Sequence, residues 1–301
     1  MTRATYRFLD SDPPSVSHSL LAVQNAIGER ARLFEPGPWQ NSWVGRGERH
    51  FVYVADSPAG RRRILLETGR LQWAALSGIS APAVVAAAPD GSWLATERVA
   101  DDVPAGPAYV RAAVALAEAV AAAPPPPPSF LAGSEERRAS RWTLPARLAR
   151  LAASPIDVRE FVAVRRRALT LPADQLAHGD YHPGNVLFDA TSGRAFVTDM
   201  EFLGMAPRGT DLMTLWCGLE RSEDRDAVLE AVLAGATDPE RTRLAVLHHW
   251  LALRSLADVA LVPRRFRHPG TDHPALLGHS MARAREARAD AAAWTRSRTA
   301  R

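Results

Sequence analysis

The 301-residue chain is 47% hydrophobic, enough for one large domain or two ordinary lobes, and its composition excludes a disordered, collagenous or disulfide-stapled protein. All 37 basic side chains are arginine, yet 33 acidic ones leave a formal charge of only +4, with no arginine stripe interleaved with aromatics, so nucleic acid is not the expected partner. The lone Cys217, an opening without a signal-peptide core and no apolar run near the ~18–20 residues of a membrane span lead to the expectation of a cytoplasmic protein without a membrane partner.

In chain order, apolar side chains at helical spacing predict an opening helix over 16–34. A Gly/Pro/polar stretch over 35–49 leads into an aromatic, β-branched strand at 50–56, with Gly45 and Gly47 placed for a hairpin turn. The SPAG at 57–60 reads as a turn, and 63–76 as a helix. Short strands follow at 82–88 and 92–99, then a helix at 107–122. Five prolines at 124–128 can join neither helix nor ladder and form a stiff polyproline spacer. Helices are expected at 144–153, 156–169, 210–234 and 238–262, and the arginine-rich stretch over 264–301 reads as a solvated helix face and tail. This is an α+β first part followed by a mainly helical second part.

The chemistry concentrates in His178-Gly179-Asp180-Tyr181-His182-Pro183-Gly184-Asn185, followed by a short hairpin ending at Asp199. Phosphoryl transfer needs a carboxylate to orient and deprotonate an acceptor hydroxyl, and oxygen ligands to hold Mg²⁺ against the phosphates. An Asp followed five residues later by an Asn in a tight loop aims one group at the acceptor and the other at the metal. Asp180, Asn185 and Asp199 stand in the order that protein kinases use. A zinc pair from His178 and His182 is disfavoured, because Gly179, Pro183 and Gly184 break the helix it would need and no third ligand is evident. His248 and His249 read as packing or surface residues, and Trp39 and Trp43 as either a ligand cover or aromatic packing.

HGDYHPGN followed by VTDMEFLGMAPRGTDL resembles the catalytic core of the aminoglycoside phosphotransferase family and its choline- and homoserine-kinase relatives. The resemblance implies a bilobal protein-kinase-like fold, with a small β-rich N-lobe over 1–98 and a larger, mainly helical C-lobe over 99–301. It implies ATP and Mg²⁺ as cofactors, Asp180 as base, Asn185 and Asp199 as metal ligands, and His178 and Asp211 as supports of the loop. Glu201, at the family's second acidic position, takes an auxiliary role near the metal, and Met200 replaces a common aromatic. ETGRLQWAALSGISAPAVV is similar to the N-lobe helix and next strand, whose leading Glu67 pairs with a phosphate-gripping lysine. By the same likeness, residues 37–44, with Gly37, Asn41 and Ser42, cover the phosphates, and the backbone from Thr96 to Arg98 meets adenine.

The chain departs from that pattern at the lysine. An ungapped count puts Val54 there, and no lysine exists to replace it. Arg49, Arg61, Arg62 and Arg63 are the candidate substitutes, each entering from a different backbone position. The expected activity is transfer of the γ-phosphate of ATP to a hydroxyl of a small molecule. The arginines favour a nucleoside, macrolide or sugar-bearing antibiotic over a cationic aminoglycoside. A metabolic kinase for choline, homoserine or a sugar, and a non-catalytic pseudokinase, remain as alternatives. The assembly is expected to be a monomer or homodimer.

Overall fold

A computed structural model describes residues 8–34, 42–99, 106–131, 156–261 and 272–296. The expected helix at 144–153, together with Gly37, Trp39 and Asn41, lies outside them. The chain folds as the bilobal α+β structure expected, with a small sheet lobe ahead of a mainly helical one.

The N-lobe opens with helix α1 (Ser17–Ile27), shorter than the periodicity implied because Gly28 takes a left-handed φ of 68° and stops it. A five-stranded antiparallel sheet follows in the order β1-β2-β3-β5-β4, from β1 (Arg32–Leu33), β2 (Trp43–Arg46), β3 (His50–Val54), β4 (Val84–Ala87) and β5 (Trp93–Glu97). Gly45 lies inside β2, not in the turn. It pairs with Val52, and a Cβ there would come within 2.9 Å of the Arg32 carbonyl on β1. The turn itself is closed by the Gly47 amide donating to the His50 carbonyl.

Helix α2 (Pro58–Leu76) begins earlier than its apolar spacing suggests. SPAG is its cap, not a separate turn: the Ser57 side chain accepts from the Gly60 amide, and Pro58 sits where its missing N–H is no loss. The pleat of β3 then sorts its side chains. Val52 and Val54 are fully buried in a cluster with Val16, Leu20, Val23 and Ile27 under α1, whereas Tyr53 and Ala55 join the cluster that contains Ile64, Leu71 and Ala74 of α2.

The C-lobe is built on α3 (Gly106–Ala122), whose Tyr109, Val110, Ala113, Leu116 and Val120 are buried. The prolines run out in extended backbone to a 3₁₀ turn (Pro128–Phe130). Next come α4 (Val158–Ala168), β6 (Gln175–Ala177), the hairpin β7 (Val186–Asp189) and β8 (Arg194–Val197), a 3₁₀ turn (Met200–Phe202) and β9 (Gly204–Ala206), which pairs with β6. The single helix expected over 210–234 is two, α5 (Thr210–Gly218) and α6 (Ser222–Leu233). A Cβ on Gly218, in the last turn of α5, would come 2.3 Å from the Pro183 ring, so glycine there lets the loop cross the helix end closely. Helices α7 (Asp238–Leu261) and α8 (His273–Arg296) pack on each other and complete the lobe.

One large cluster ties α2, β5, α3, the β7–β8 hairpin and α5 together, with Trp216, Met200, Met213 and Leu215 fully buried in it. Each such side chain contributes on the order of 1.5–3 kcal/mol through burial. The Val197 amide donates to the Ser80 carbonyl and Arg194 Nη2 to Ser80 Oγ, which fixes the hairpin against the segment after α2. Among the described residues no helix is long and apolar enough to cross a membrane.

Candidate active site

The loop between β6 and β7 is held from below by one carboxylate. Asp211, buried at the start of α5, accepts from the His178 amide through Oδ2 (2.7 Å) and from the Gly179 amide through Oδ1 (3.0 Å). His178 is 1% exposed and bridges outward: its Nε2 meets the Thr198 carbonyl at 2.9 Å, and the Asp180 amide donates toward its Nδ1. Nε2 therefore donates to the Thr198 carbonyl, and both ring nitrogens of His178 are engaged by backbone. Gly179 has φ 84°, and a Cβ there would lie 2.4 Å from the Phe202 carbonyl, so only glycine lets the two loops approach this closely.

Asp180 and Asn185 face each other across the loop. Asn185 Nδ2 donates to the Asp180 carbonyl (3.0 Å) and to its Oδ2 (3.2 Å), which leaves Asn185 Oδ1 as the acceptor end. Burial raises the Asp180 pKa, but the neighbouring His182, whose Nε2 is 3.6 Å from Oδ2, outweighs it with help from Arg254 and His178. The net effect holds the carboxyl below its ordinary value, so Asp180 is ionised at neutral pH.

Asp199 ends the β8 strand in a left-handed conformation, φ 57°, the single non-glycine residue with positive φ among the described residues. Such strain, of order 1–3 kcal/mol, persists where surrounding structure imposes it, and it collects at functional sites. Two contacts from α2 impose it here. The Met200 amide donates to Glu67 Oε1 (3.3 Å), and Arg63 Nη2 reaches Asp199 Oδ1 (3.1 Å) and Glu201 Oε2 (3.1 Å). Burial, reinforced by the Asp199 charge, pushes the Glu67 carboxyl up to about 7, and burial likewise raises that of Glu201.

The oxygen side chains of Asn185 and Asp199 suit a hard cation. Among the described residues no three carboxylate, imidazole or thiolate groups converge as a self-sufficient metal site. Asn185 and Asp199 fit Mg²⁺ by the hardness of their oxygens, and its remaining ligands would come from nucleotide phosphates. Of the other expected contacts, Ser42 is buried just before β2 and Thr96 is buried in β5. The Glu97 amide already donates to Ala83, the Arg98 amide donates to Arg49, and Arg98 Nη1 donates to Glu48.

Val54 is not the cleft-facing residue of β3. Its side chain belongs to the α1 cluster, on the outer face of the sheet, and the inner face carries Tyr53 and Ala55, neither of them a cation. Of the four candidate arginines, Arg49 lies by Glu29 with its side chain 71% exposed, Arg61 pairs with Asp90 and Arg62 is exposed. Arg63 alone of the four meets the site. Sequence reasoning did not single it out, although its spacing of one helical turn from Glu67 puts both on one face of α2. It also passed over His182 and Arg254 as neighbours of Asp180. Trp43, a possible cover for a ligand, donates its indole N–H to Asp56.

The sequence model of the APH family, described as a phosphotransferase enzyme family, matches residues 36–247. No curated protein matches the sequence significantly. Among solved structures, a choline/ethanolamine kinase family protein from Mesorhizobium loti superimposes with a TM-score of 0.61 at 20% identity, over 93% of this chain and 97% of that one. The streptomycin–ATP ternary complex of APH(2")-IIa follows with a TM-score of 0.58 at 14% identity, over 86% and 93%. A Plasmodium vivax ethanolamine kinase gives 0.52 at 11% identity, over 87% and 83%. At these identities the likeness establishes the fold.

Proposed function

The chain belongs to the APH phosphotransferase enzyme family and is a small-molecule kinase, and from that premise we propose that it moves the γ-phosphate of ATP onto a hydroxyl of a neutral or anionic antibiotic. A nucleoside, macrolide or sugar-bearing compound fits better than a strongly cationic aminoglycoside. The observation that carries the chemistry is the Asp180–Asn185 clamp over a loop whose amides are fixed by Asp211. It holds an ionised carboxylate rigidly beside oxygen ligands for a metal.

In this reading Asp180 accepts the proton of the acceptor hydroxyl as the acceptor O–P bond forms and the bond to the β-phosphate breaks, with ADP leaving. A carboxylate held below its ordinary pKa is a weak base, which suits a loose transition state where the proton moves late. Asn185 and Asp199 hold the metal, and Mg²⁺, when bound, neutralises charge on the phosphates. Glu201, which feels the charges of both Asp199 and Asp180, sits between the two halves of the site.

The acceptor preference rests on charge. Arg254 on α7, whose Nε is 3.7 Å from Asp258 Oδ2, acts on the Asp180 carboxylate. A cationic acceptor approaching Asp180 past Arg254, on the side away from the acidic residues that face the phosphates, would be opposed by that guanidinium, whereas a neutral or anionic one would not. A mass-spectrometric screen with ATP and Mg²⁺ tests this. Nucleoside, macrolide and aminoglycoside antibiotics, choline, homoserine and simple sugars are each incubated with the enzyme. A product heavier by one phosphate from a neutral or anionic antibiotic supports the reading. Phosphorylation of choline or homoserine alone would replace it with a metabolic kinase, and of aminoglycosides alone would refute the charge argument.

A further inference from the structure

We propose that Arg63 grips the nucleotide phosphates, so that the phosphate-binding cation of this enzyme stands on helix α2 and not on the sheet. The inference rests on the phosphotransferase reading above.

A polyphosphate bound in a cleft lined by carboxylates requires a protein cation against it, because charge-assisted bonds to phosphate are the strong ones. The surroundings here are acidic: Glu67, Asp199, Glu201 and Asp180 lie close enough to affect one another. The inner face of β3 offers Tyr53 and Ala55, and the chain has no lysine. Arg70, two turns further along α2, acts on Glu67 and Glu201 but is only 3% exposed, with its Nε donating to the Phe130 carbonyl (2.8 Å), so it offers no open face to a ligand. That leaves Arg63, with a side chain 26% exposed, between the two lobes.

The contacts of Arg63 fit a group awaiting an anion. Among the described residues Nη2 makes both contacts, to Asp199 and to Glu201, and Nη1 and Nε are the donors that a third acceptor would take. Arg63 pairs with Asp199, the carboxylate that would hold the metal. When metal and nucleotide arrive together, two cations compete for Asp199 and the phosphate is the anion to which the guanidinium can turn. Arginine suits this switch, because its planar fork can keep one carboxylate while engaging a phosphate. Glu67, one turn along α2, is relieved of the cation-pairing task and instead fixes the Met200 amide.

The test is calorimetric titration of wild type, Arg63→Met and Arg63→Lys with ATP, ADP and adenosine in Mg²⁺, with circular dichroism to confirm the fold. Arg63→Met should bind ATP and ADP about 10- to 100-fold more weakly with adenosine unchanged, and Arg63→Lys should recover part of the loss. Equal binding of ADP by wild type and Arg63→Met overturns the proposal and leaves the kinase reading standing. Equal weakening for adenosine overturns it too, since that would make Arg63 a brace for the lobes. Failure of the wild type to bind any of the three would remove the kinase reading itself, and the proposal with it. Should Arg63→Met not fold, Arg63→Gln takes its place, and equal binding of ADP by wild type and Arg63→Gln overturns the proposal on its own.

Discussion

Replacing Glu67 by Gln should make the nucleotide-free protein more stable at alkaline pH. The Glu67 carboxyl is raised from 4.5 to about 7 by burial first and by the neighbouring Asp199 charge second, against weaker help from the Met200 amide, Arg70 and Arg63. An acid whose pKa is higher folded than unfolded stabilises the fold fully below its unfolded value and loses that contribution as pH rises through the folded one. The window is therefore pH 4.5 to about 7. At ~1.4 kcal/mol per unit, the ionised group at pH 8 leaves the fold about 3 kcal/mol worse off than its protonated form. Gln keeps the acceptor oxygen for the Met200 amide and cannot ionise. With an unfolding entropy of ~2 cal/mol/K per residue, 3 kcal/mol corresponds to roughly 5 °C in a chain of this length. Thermal melts by circular dichroism, without nucleotide or metal, should show the two proteins melting together near pH 4.5 and Glu67→Gln melting higher at pH 8. Identical melting at pH 8, or a less stable mutant there, would refute the reasoning about the electrostatics around Asp199.

Asp211→Asn gives the His178 and Gly179 amides a side chain with one donor end in place of two acceptor oxygens, so chemical denaturation should register a loss of about 1–3 kcal/mol. Gly179→Ala combines a φ of 84° with a Cβ 2.4 Å from the Phe202 carbonyl. Because the obstacle is backbone, the same assay should show a loss of at least ~2 kcal/mol, which Phe202→Ala in the same chain does not relieve. Asp199→Asn removes the charge of the proposed metal ligand, and in a thermal-shift titration Mg²⁺ should no longer add to the stabilisation given by ATP.

The sequence made the loop legible because its chemistry is local. His178 to Asn185 spans one turn of chain, and both Asp180 and Asn185 must come from it for their side chains to meet. Helix α2 and Glu67 were legible for a similar reason, as apolar positions at helical spacing over a long stretch. Arg63 was only one of four candidates, since its bond to Asp199 joins residues 136 positions apart and depends on how α2 lies against the β8 end. Val54 went astray through a one-residue matter of facing: in a strand, a neighbour's side chain lies on the other side of the sheet, and only the packing of α1 reveals which side is outer. The break after Gly218 carried a local sign, a glycine at the helix end, which the helical apolar spacing on either side obscured. SPAG was misplaced because Ser-Pro serves equally as a turn or as the cap and first residue of a helix, and the residues downstream of it decide between the two.

Central to the proposed chemistry is that Asp180 takes the acceptor proton within a site that binds nucleotide independently of it. The direct measurement is steady-state transfer to a confirmed acceptor by wild type and Asp180→Asn, with the ATP affinity of each measured alongside by calorimetry. The predicted result is a fall in kcat of about 10²- to 10⁴-fold with ATP affinity unchanged. Turnover by Asp180→Asn at the wild-type rate, with its fold and ATP binding intact, would contradict the assignment of Asp180 as the base.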